Sequence, residues 1–156
     1  MTGFARAIAA ALLGAGLGVQ LFFSFMVAPA AFALIERGLA VRLMEGLFPG
    51  YYGFGLATAA LALVFAGYVA VRERTPLQWG AVALLAAVVA GTVYAGHVLL
   101  PAARTARLRA QAAPAGDLAP LEFSRLHRRA VAVNIALFGV GGIALLLHAA
   151  APGRSR

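Results

Sequence analysis

Long apolar stretches, separated by more polar segments of 5 to 29 residues, dominate the sequence. Four of them, at residues 7–28, 52–71, 77–100 and 130–150, are apolar over nearly their whole length. A helix rises about 1.5 Å per residue, so about 20 residues cross the hydrocarbon core of a bilayer, which is about 30 Å thick. The pattern therefore predicts an all-α protein, a polytopic membrane four-helix bundle that forms one integral membrane domain over residues 1–156.

The composition excludes a water-soluble domain. Apolar residues make up 63% of the chain and charged residues 12%, against about 25% charged residues in soluble domains. The mean hydropathy is +0.90. The chain has no cysteine, which excludes a disulfide framework, a thiolate metal site and a thiol nucleophile.

The first apolar stretch has two interpretations. Arg6 precedes it and small residues surround Ala28, as in a secretory signal peptide with its cleavage site. The apolar region of a signal peptide is about 7 to 15 residues long, and this stretch is longer. We therefore expect it to be retained as the first spanning helix.

The segment that follows, residues 30–48, is predicted to form a short amphipathic helix at the membrane interface. Its leucines fall near one helical face, at Leu34, Leu39, Leu43 and Leu47. Pro29 should kink the chain or end the first span, because proline has no N–H to donate. Pro49 and Gly50 are expected to break the amphipathic helix before Tyr51 and Tyr52, an aromatic pair suited to the headgroup boundary.

Arginine supplies all 13 basic residues and hence the net charge of +8. Four spans place five arginines at one membrane face: Arg6, Arg72, Arg74, Arg154 and Arg156. The other face receives eight: Arg37, Arg42, Arg104, Arg107, Arg109, Arg125, Arg128 and Arg129. The positive-inside rule favours the face with eight as the cytoplasmic one. Anionic lipid headgroups are the expected partners of these arginines, and nucleic acid is not, because no aromatic platform or recognition motif accompanies them.

The histidines near span ends are the candidate ligands. His97 and His127 lie at one end of an antiparallel hairpin, whereas His148 belongs to the opposite face. One interpretation places both in a helix interface without chemistry. In the other they bind haem b, copper or another transition metal, or relay protons, with Tyr94 or Asn134 orienting them. Two histidines without an acid in the spans are few for a metal site.

The remaining polar and small residues suggest helix contacts. Gln20 and Ser24 lie four residues apart on the first span, where they are expected to hydrogen-bond to other helices, as are Tyr94 and Asn134. Gly14 and Gly18 form a GxxxG pattern. That pattern favours either packing within one chain or a homodimer face.

Three pieces of the sequence resemble the transmembrane protein 205-like family, which is also known as a bacterial domain of unknown function. They are Ala28-Pro29-Ala-Ala-Phe32, Phe48-Pro49-Gly-Tyr51-Tyr52, and Phe123-Ser-Arg-Leu-His127 with Asn134 one heptad on. The resemblance implies a four-helix protein of the bacterial cytoplasmic (inner) membrane with no assigned activity. More distantly, the layout is similar to copper-resistance D-type membrane proteins, whose histidines handle copper or haem.

The sequence favours an integral membrane protein without catalysis of its own, acting as an accessory or packing component in a homodimer or with a membrane partner protein. The alternative is a haem- or transition-metal-handling protein that uses His97 and His127. A solute transporter is less favoured, because we detect neither an intramembrane charge pair nor an inverted repeat.

Overall fold

In the computed structural model, residues 1–114 and 116–150 are described, and all their regular elements are helical. The elements, in chain order, are α1 (Thr2–Phe22), a π-helical turn (Phe23–Val27), α2 (Ala28–Leu34), α3 (Arg37–Glu73), α4 (Pro76–Tyr94), a second π-helical turn (Ala95–Leu99), α5 (Leu100–Ala112) and α6 (Ala119–Ala150). Four continuous helices result, at Thr2–Leu34, Arg37–Glu73, Pro76–Ala112 and Ala119–Ala150, each long and apolar enough to cross a membrane. The predicted all-α fold with four candidate membrane-spanning helices is confirmed. Arg154 and Arg156 lie outside the described residues.

Proline distorts two of these helices without ending them. In an α-helix the proline ring collides with the carbonyl group four residues earlier. For Pro29 that residue is Phe25 and for Pro101 it is His97, and each lies in the middle of a π-helical turn. The wider π turn accommodates the proline, so the helix continues. Of the two expectations at Pro29, a kink or an end of the helix, the end is wrong, because the helix continues to Leu34.

α3 corrects the predicted break at Pro49 and Gly50. The helix runs without interruption through Pro49, so the amphipathic residues 37–48 form its first turns. Membrane helices tolerate an internal proline because neighbouring groups satisfy the freed carbonyl. The side chain of Glu36 caps the start of α3, since its carboxylate accepts hydrogen bonds from the N–H groups of Gly38 and Leu39, at 2.9 and 3.2 Å.

The four long helices pack around a core of small side chains. α1 contacts α3 and α6, α3 contacts α4, and α4 contacts α6, while α5 packs along the first part of α6. The largest buried cluster is Ala9, Leu13, Ala62, Ala66, Leu85 and Ala144. Alanine at these positions lets the helix backbones approach closely.

The GxxxG pattern of α1 faces away from this core. A methyl group added at Gly14 or Gly18 would meet no atom within 4 Å, so both glycines lie on an open surface. Gly16, between them, is buried, and a methyl group there would come within 2.5 Å of the Thr58 hydroxyl on α3. Contact between α1 and α3 therefore depends on Gly16.

Candidate functional site

Four polar side chains, one from each long helix, meet where α1 and α4 begin and α3 and α6 end. We call this end of the bundle the Arg6 end, and the cluster comprises Arg6, Glu73, Gln78 and His148. Arg6 and Glu73 form an ion pair between α1 and α3. The His148 Nδ1 atom lies 2.9 Å from Gln78 Oε1, and its Nε2 atom lies 3.3 Å from the backbone oxygen of Arg6. Gln78 and His148 are fully buried, so the cluster is part of the bundle interior.

This cluster was not predicted from the sequence. The predicted topology places Arg6 and His148 at the same membrane face but does not connect them with Glu73 or Gln78. Their positions in the sequence could have predicted the cluster, since each of the four residues lies within two turns of an end of a long helix. With an even number of antiparallel spans, all four ends fall at one face.

Aromatic side chains form a second contact region near the opposite end. The rings of Phe23 and Tyr51 have centroids 4.8 Å apart, those of Tyr51 and Tyr52 are 5.0 Å apart, and Phe48 packs against both tyrosines. Both tyrosines are buried. They therefore pack against other helices, Tyr51 on Phe23 and Tyr52 on Gly96, and their place at the headgroup boundary stays a prediction.

The polar residues that were predicted to hydrogen-bond between helices differ in the contacts they make. Asn134 on α6 donates a hydrogen bond to the Tyr52 hydroxyl over 3.1 Å. Ser24 lies beside the Tyr51 phenol. Gln20 packs against Gly55, and no protein hydrogen bond of its side chain is found among the described residues. It lines a cavity of about 20 Å³ with Thr58 and other residues, a volume close to that of a single water site.

His97 and His127 lie apart from these contacts, and both are exposed. The His97 Nδ1 atom lies 3.3 Å from the Val93 carbonyl oxygen of its own helix, and the His127 ring lies 5.9 Å from that of Phe123. No hydrogen bond or ring contact joins the two histidines. Tyr94 instead packs against Arg129, whose guanidinium carbon Cζ lies over the Tyr94 ring, 5.6 Å from the ring centroid.

These histidines do not fit an enclosed metal or haem site. Within residues 1–114 and 116–150, no group of three or more His, Cys, Asp or Glu side chains is placed to hold a metal ion. The 20 Å³ cavity is far too small for a porphyrin, and neither histidine lines it. The haem and copper hypothesis stays a prediction from sequence that no contact here supports.

At the end opposite the Arg6 end, which we call the arginine-rich end, internal contacts occupy most of the acids. Glu45 pairs with Arg107 and lies 3.9 Å from Arg104. Glu36 caps α3, and the Asp117 carboxylate accepts a hydrogen bond from the N–H group of Ala119. In the described part of the chain, six arginines at this end have no carboxylate oxygen within 4 Å: Arg37, Arg42, Arg109, Arg125, Arg128 and Arg129.

A groove between the end of α5 and the start of α6 lies among these arginines. Its volume is about 640 Å³, and Arg109, Arg125, Leu118 and Leu121 are among its lining residues. It is open and lined mostly by exposed side chains.

Comparison with known proteins identifies the family of this chain. A family model described as a domain of unknown function (DUF4149) matches residues 11–113. The chain belongs to the DUF4149 family. An uncharacterized protein of Aquifex aeolicus (strain VF5) is 43% identical over 56 residues, which are 36% of this chain and 42% of that relative. The chain thus spans less than half the length of this relative. No solved structure matches the chain.

The DUF4149 match divides the contact regions described above. It includes the aromatic cluster of α3, the two π-helical turns and His97. It ends before α6, so His127, Asn134 and His148 lie outside the matched residues. Of the cluster at the Arg6 end, Glu73 and Gln78 fall within the DUF4149 match.

Proposed function

We propose that the protein is a small multi-pass component of the bacterial cytoplasmic membrane with no catalytic activity of its own. Its role is that of an accessory protein that presents the arginine-rich end to a membrane partner protein and to anionic headgroups. We further propose that, within the DUF4149 family, its nearest kinship is with transmembrane protein 205-like proteins.

The observation that carries the proposal is the length of the helices beyond the bilayer. Arg129 and His148 are 19 residues apart on α6, or about 28 Å along the helix, which matches the hydrocarbon thickness. Because Arg129 contacts Tyr94, α4 reaches the same boundary near Tyr94. Residues 95–112 then continue for about 27 Å, whereas headgroups add only about 5 to 8 Å per leaflet. A tilt of about 20° shortens this length only slightly.

The extending part carries an apolar row beside unpaired positive charge. Leu39, Leu43 and Leu47 follow one another at single-turn spacing on α3, with exposed fractions of 54, 41 and 39%. Outside the bilayer, such a row marks an interaction surface. Arg37 and Arg42 flank it with no carboxylate oxygen within 4 Å among the described residues, although the charge of Arg42 also acts on Glu36, so the complementary partner has an apolar face bordered by acids.

Anionic headgroups are the second proposed partner, at the boundary itself. Arg128 and Arg129 lie at the start of the apolar part of α6, where phosphate oxygens would surround them. Arg129 also packs on Tyr94, an arrangement typical of interfacial anchors. We propose on the same grounds that this end faces the cytoplasm, as the positive-inside rule indicates.

The buried side chains in the middle of α3 favour the accessory role over solute transport. Between the cluster at the Arg6 end and Thr58, the buried residues of α3 are apolar: Ala59, Ala62, Ala66, Val69 and Ala70. A polar solute would meet no hydrogen-bonding side chain there.

Site-specific photo-crosslinking in native membranes tests the accessory role. A photoreactive amino acid replaces Leu43 on the proposed surface, and the control replaces Leu61 farther along the same helix, which is 51% exposed and faces lipid. We expect a discrete protein adduct from position 43 and none from position 61. An adduct of twice the monomer mass would identify a second copy as the partner. The absence of any adduct at Leu39, Leu43 and Leu47, or equal adducts at Leu61, would contradict the proposal.

An absorption spectrum tests the proposed absence of a resident cofactor. Protein purified in detergent should show no Soret band and contain no stoichiometric copper. A Soret band that disappears in His97→Ala and His127→Ala would instead establish the haem-handling alternative.

A further inference from the structure

A neutral His148 ring has fewer N–H donors than the acceptor oxygens that face it. Both ring nitrogens face oxygen atoms, Gln78 Oε1 at 2.9 Å and the Arg6 carbonyl at 3.3 Å. These oxygens accept hydrogen bonds and cannot donate them. A neutral imidazole has one N–H, so satisfying both contacts requires the doubly protonated ring.

The side-chain amide of Gln78 also has an unsatisfied hydrogen-bonding group. Gln78 is fully buried, and its Nε2 atom has no hydrogen-bond partner. A flip of the terminal amide group of Gln78 would exchange the positions of Nε2 and Oε1 and place an N–H donor against His148 Nδ1. A neutral ring could then accept from Gln78 and still donate from Nε2 to the Arg6 carbonyl. The two amide orientations thus match ring states that differ by one proton.

The charged groups around the ring come from two helices. Arg6 faces it from α1 and Glu73 faces it from α3, while the contact from α4 is the uncharged Gln78. Arg6 and Glu73 pair with each other, and their charges act on the ring in opposite directions. Burial favours the neutral ring, so the doubly protonated ring depends on its hydrogen bonds to Gln78 and to the Arg6 carbonyl. A buried ionisable residue in a membrane bundle is a functional-site hypothesis in its own right.

We propose that His148 is a reversible proton-binding site, and that the side-chain amide of Gln78 turns over each time the ring gains or loses its second proton. Proton uptake at the Arg6 end then changes which hydrogen bonds tie the end of α6 to α4. The site lies at the opposite end from the proposed partner surface and does not rest on the accessory role.

Nuclear magnetic resonance of the full chain in lipid nanodiscs tests this coupling. The His148 ring nitrogens and the Gln78 side-chain NH₂ group are followed between about pH 5 and pH 8, where histidines titrate. The background variant His97→Ala with His127→Ala leaves His148 as the only histidine. We expect both signals to change with one shared midpoint, and the midpoint to move in Glu73→Gln because the paired acid is lost.

Gln78→Met and Gln111→Met form the matched pair of variants. Gln111 is exposed on α5 and far along the chain from the cluster. We expect Gln78→Met to move the His148 midpoint and Gln111→Met to leave it unchanged. Titration of His148 with no change at the Gln78 amide would overturn the proposal, as would a ring that keeps one state across the range. The coupling in the Gln78-containing protein decides the matter even where Gln78→Met does not fold.

Discussion

Asn134 on α6 donates a hydrogen bond from Nδ2 to the phenolic oxygen of Tyr52 on α3, over 3.1 Å. Tyr52 is also held by the rings of Phe48 and Tyr51 and packs against Gly96 within the second π-helical turn. One hydrogen bond therefore links α6 to the aromatic cluster, where α1 and α3 meet. Hydrogen bonds between membrane helices average about 0.6 kcal/mol and reach about 2 kcal/mol.

Tyr52→Phe should lower the free energy of unfolding by about 0.5 to 2 kcal/mol, because it removes the hydrogen bond and keeps the ring. Asn134→Leu should have a similar effect, and the double variant should be little worse than either single one. Unfolding in sodium dodecyl sulfate, followed by the fluorescence of Trp79, measures all three. Tyr68→Phe is the control. Fully additive losses would show that the two side chains do not interact.

Glu73→Met should destabilise the bundle by up to about 3 kcal/mol, because it removes the carboxylate that pairs with the Arg6 guanidinium in a largely buried place. Arg6→Met combined with Glu73→Met should cost less than Glu73→Met alone, since both members of the ion pair are then removed together. The same unfolding assay compares them, with exposed Glu122→Gln as the control. A double variant less stable than Glu73→Met would refute this account of the pair.

Gly16→Ala and Gly14→Ala should differ although they are two residues apart. The new methyl group at position 16 would press on the Thr58 hydroxyl and cost about 1 to 3 kcal/mol, whereas the one at position 14 meets open space. Gly14→Ala should be neutral or stabilising by up to about 1 kcal/mol, because alanine favours the helix. Thermal aggregation in detergent ranks the two variants. If Gly14→Ala proves the more damaging, α1 uses its GxxxG face for packing.

The cap of α3 should make stability depend on pH. Hydrogen bonds from the N–H groups of Gly38 and Leu39 hold the pKa of Glu36 below its ordinary value. The ionised carboxylate therefore stabilises the folded protein above the ordinary pKa, and the contribution is lost as the pH falls through the lowered pKa. Glu36→Gln should melt at a lower temperature than the parent near neutral pH. The difference should shrink toward zero in acid, and a constant difference would exclude the ionised cap.

The four helices were predictable, because the thickness of a bilayer sets the length of an apolar stretch that can cross it. The continuity of the helices was not predictable, since Pro29, Pro49 and Pro101 each favour a helix break when only the neighbouring residues are considered. Packing overrides that signal, through a π-helical turn before two of them. His97 and His127 share one end of the hairpin, but both side chains are exposed. Which face of a helix turns inward depends on its packing against the neighbouring helices, and the sequence alone does not give that packing. The cluster around His148 depends on three partners from other helices, which a single sequence does not pair.

Accessibility of single cysteines tests most directly whether four helices cross the bilayer and the arginine-rich end stands outside it. The chain has no cysteine of its own, so Arg42→Cys, Leu43→Cys, Leu61→Cys and Arg74→Cys each report one position. With a membrane-impermeant maleimide, positions 42 and 43 should react from one side, position 74 from the other, and position 61 from neither. Labelling of positions 42 and 74 from the same side, or of Leu61→Cys as readily as Leu43→Cys, would contradict the account.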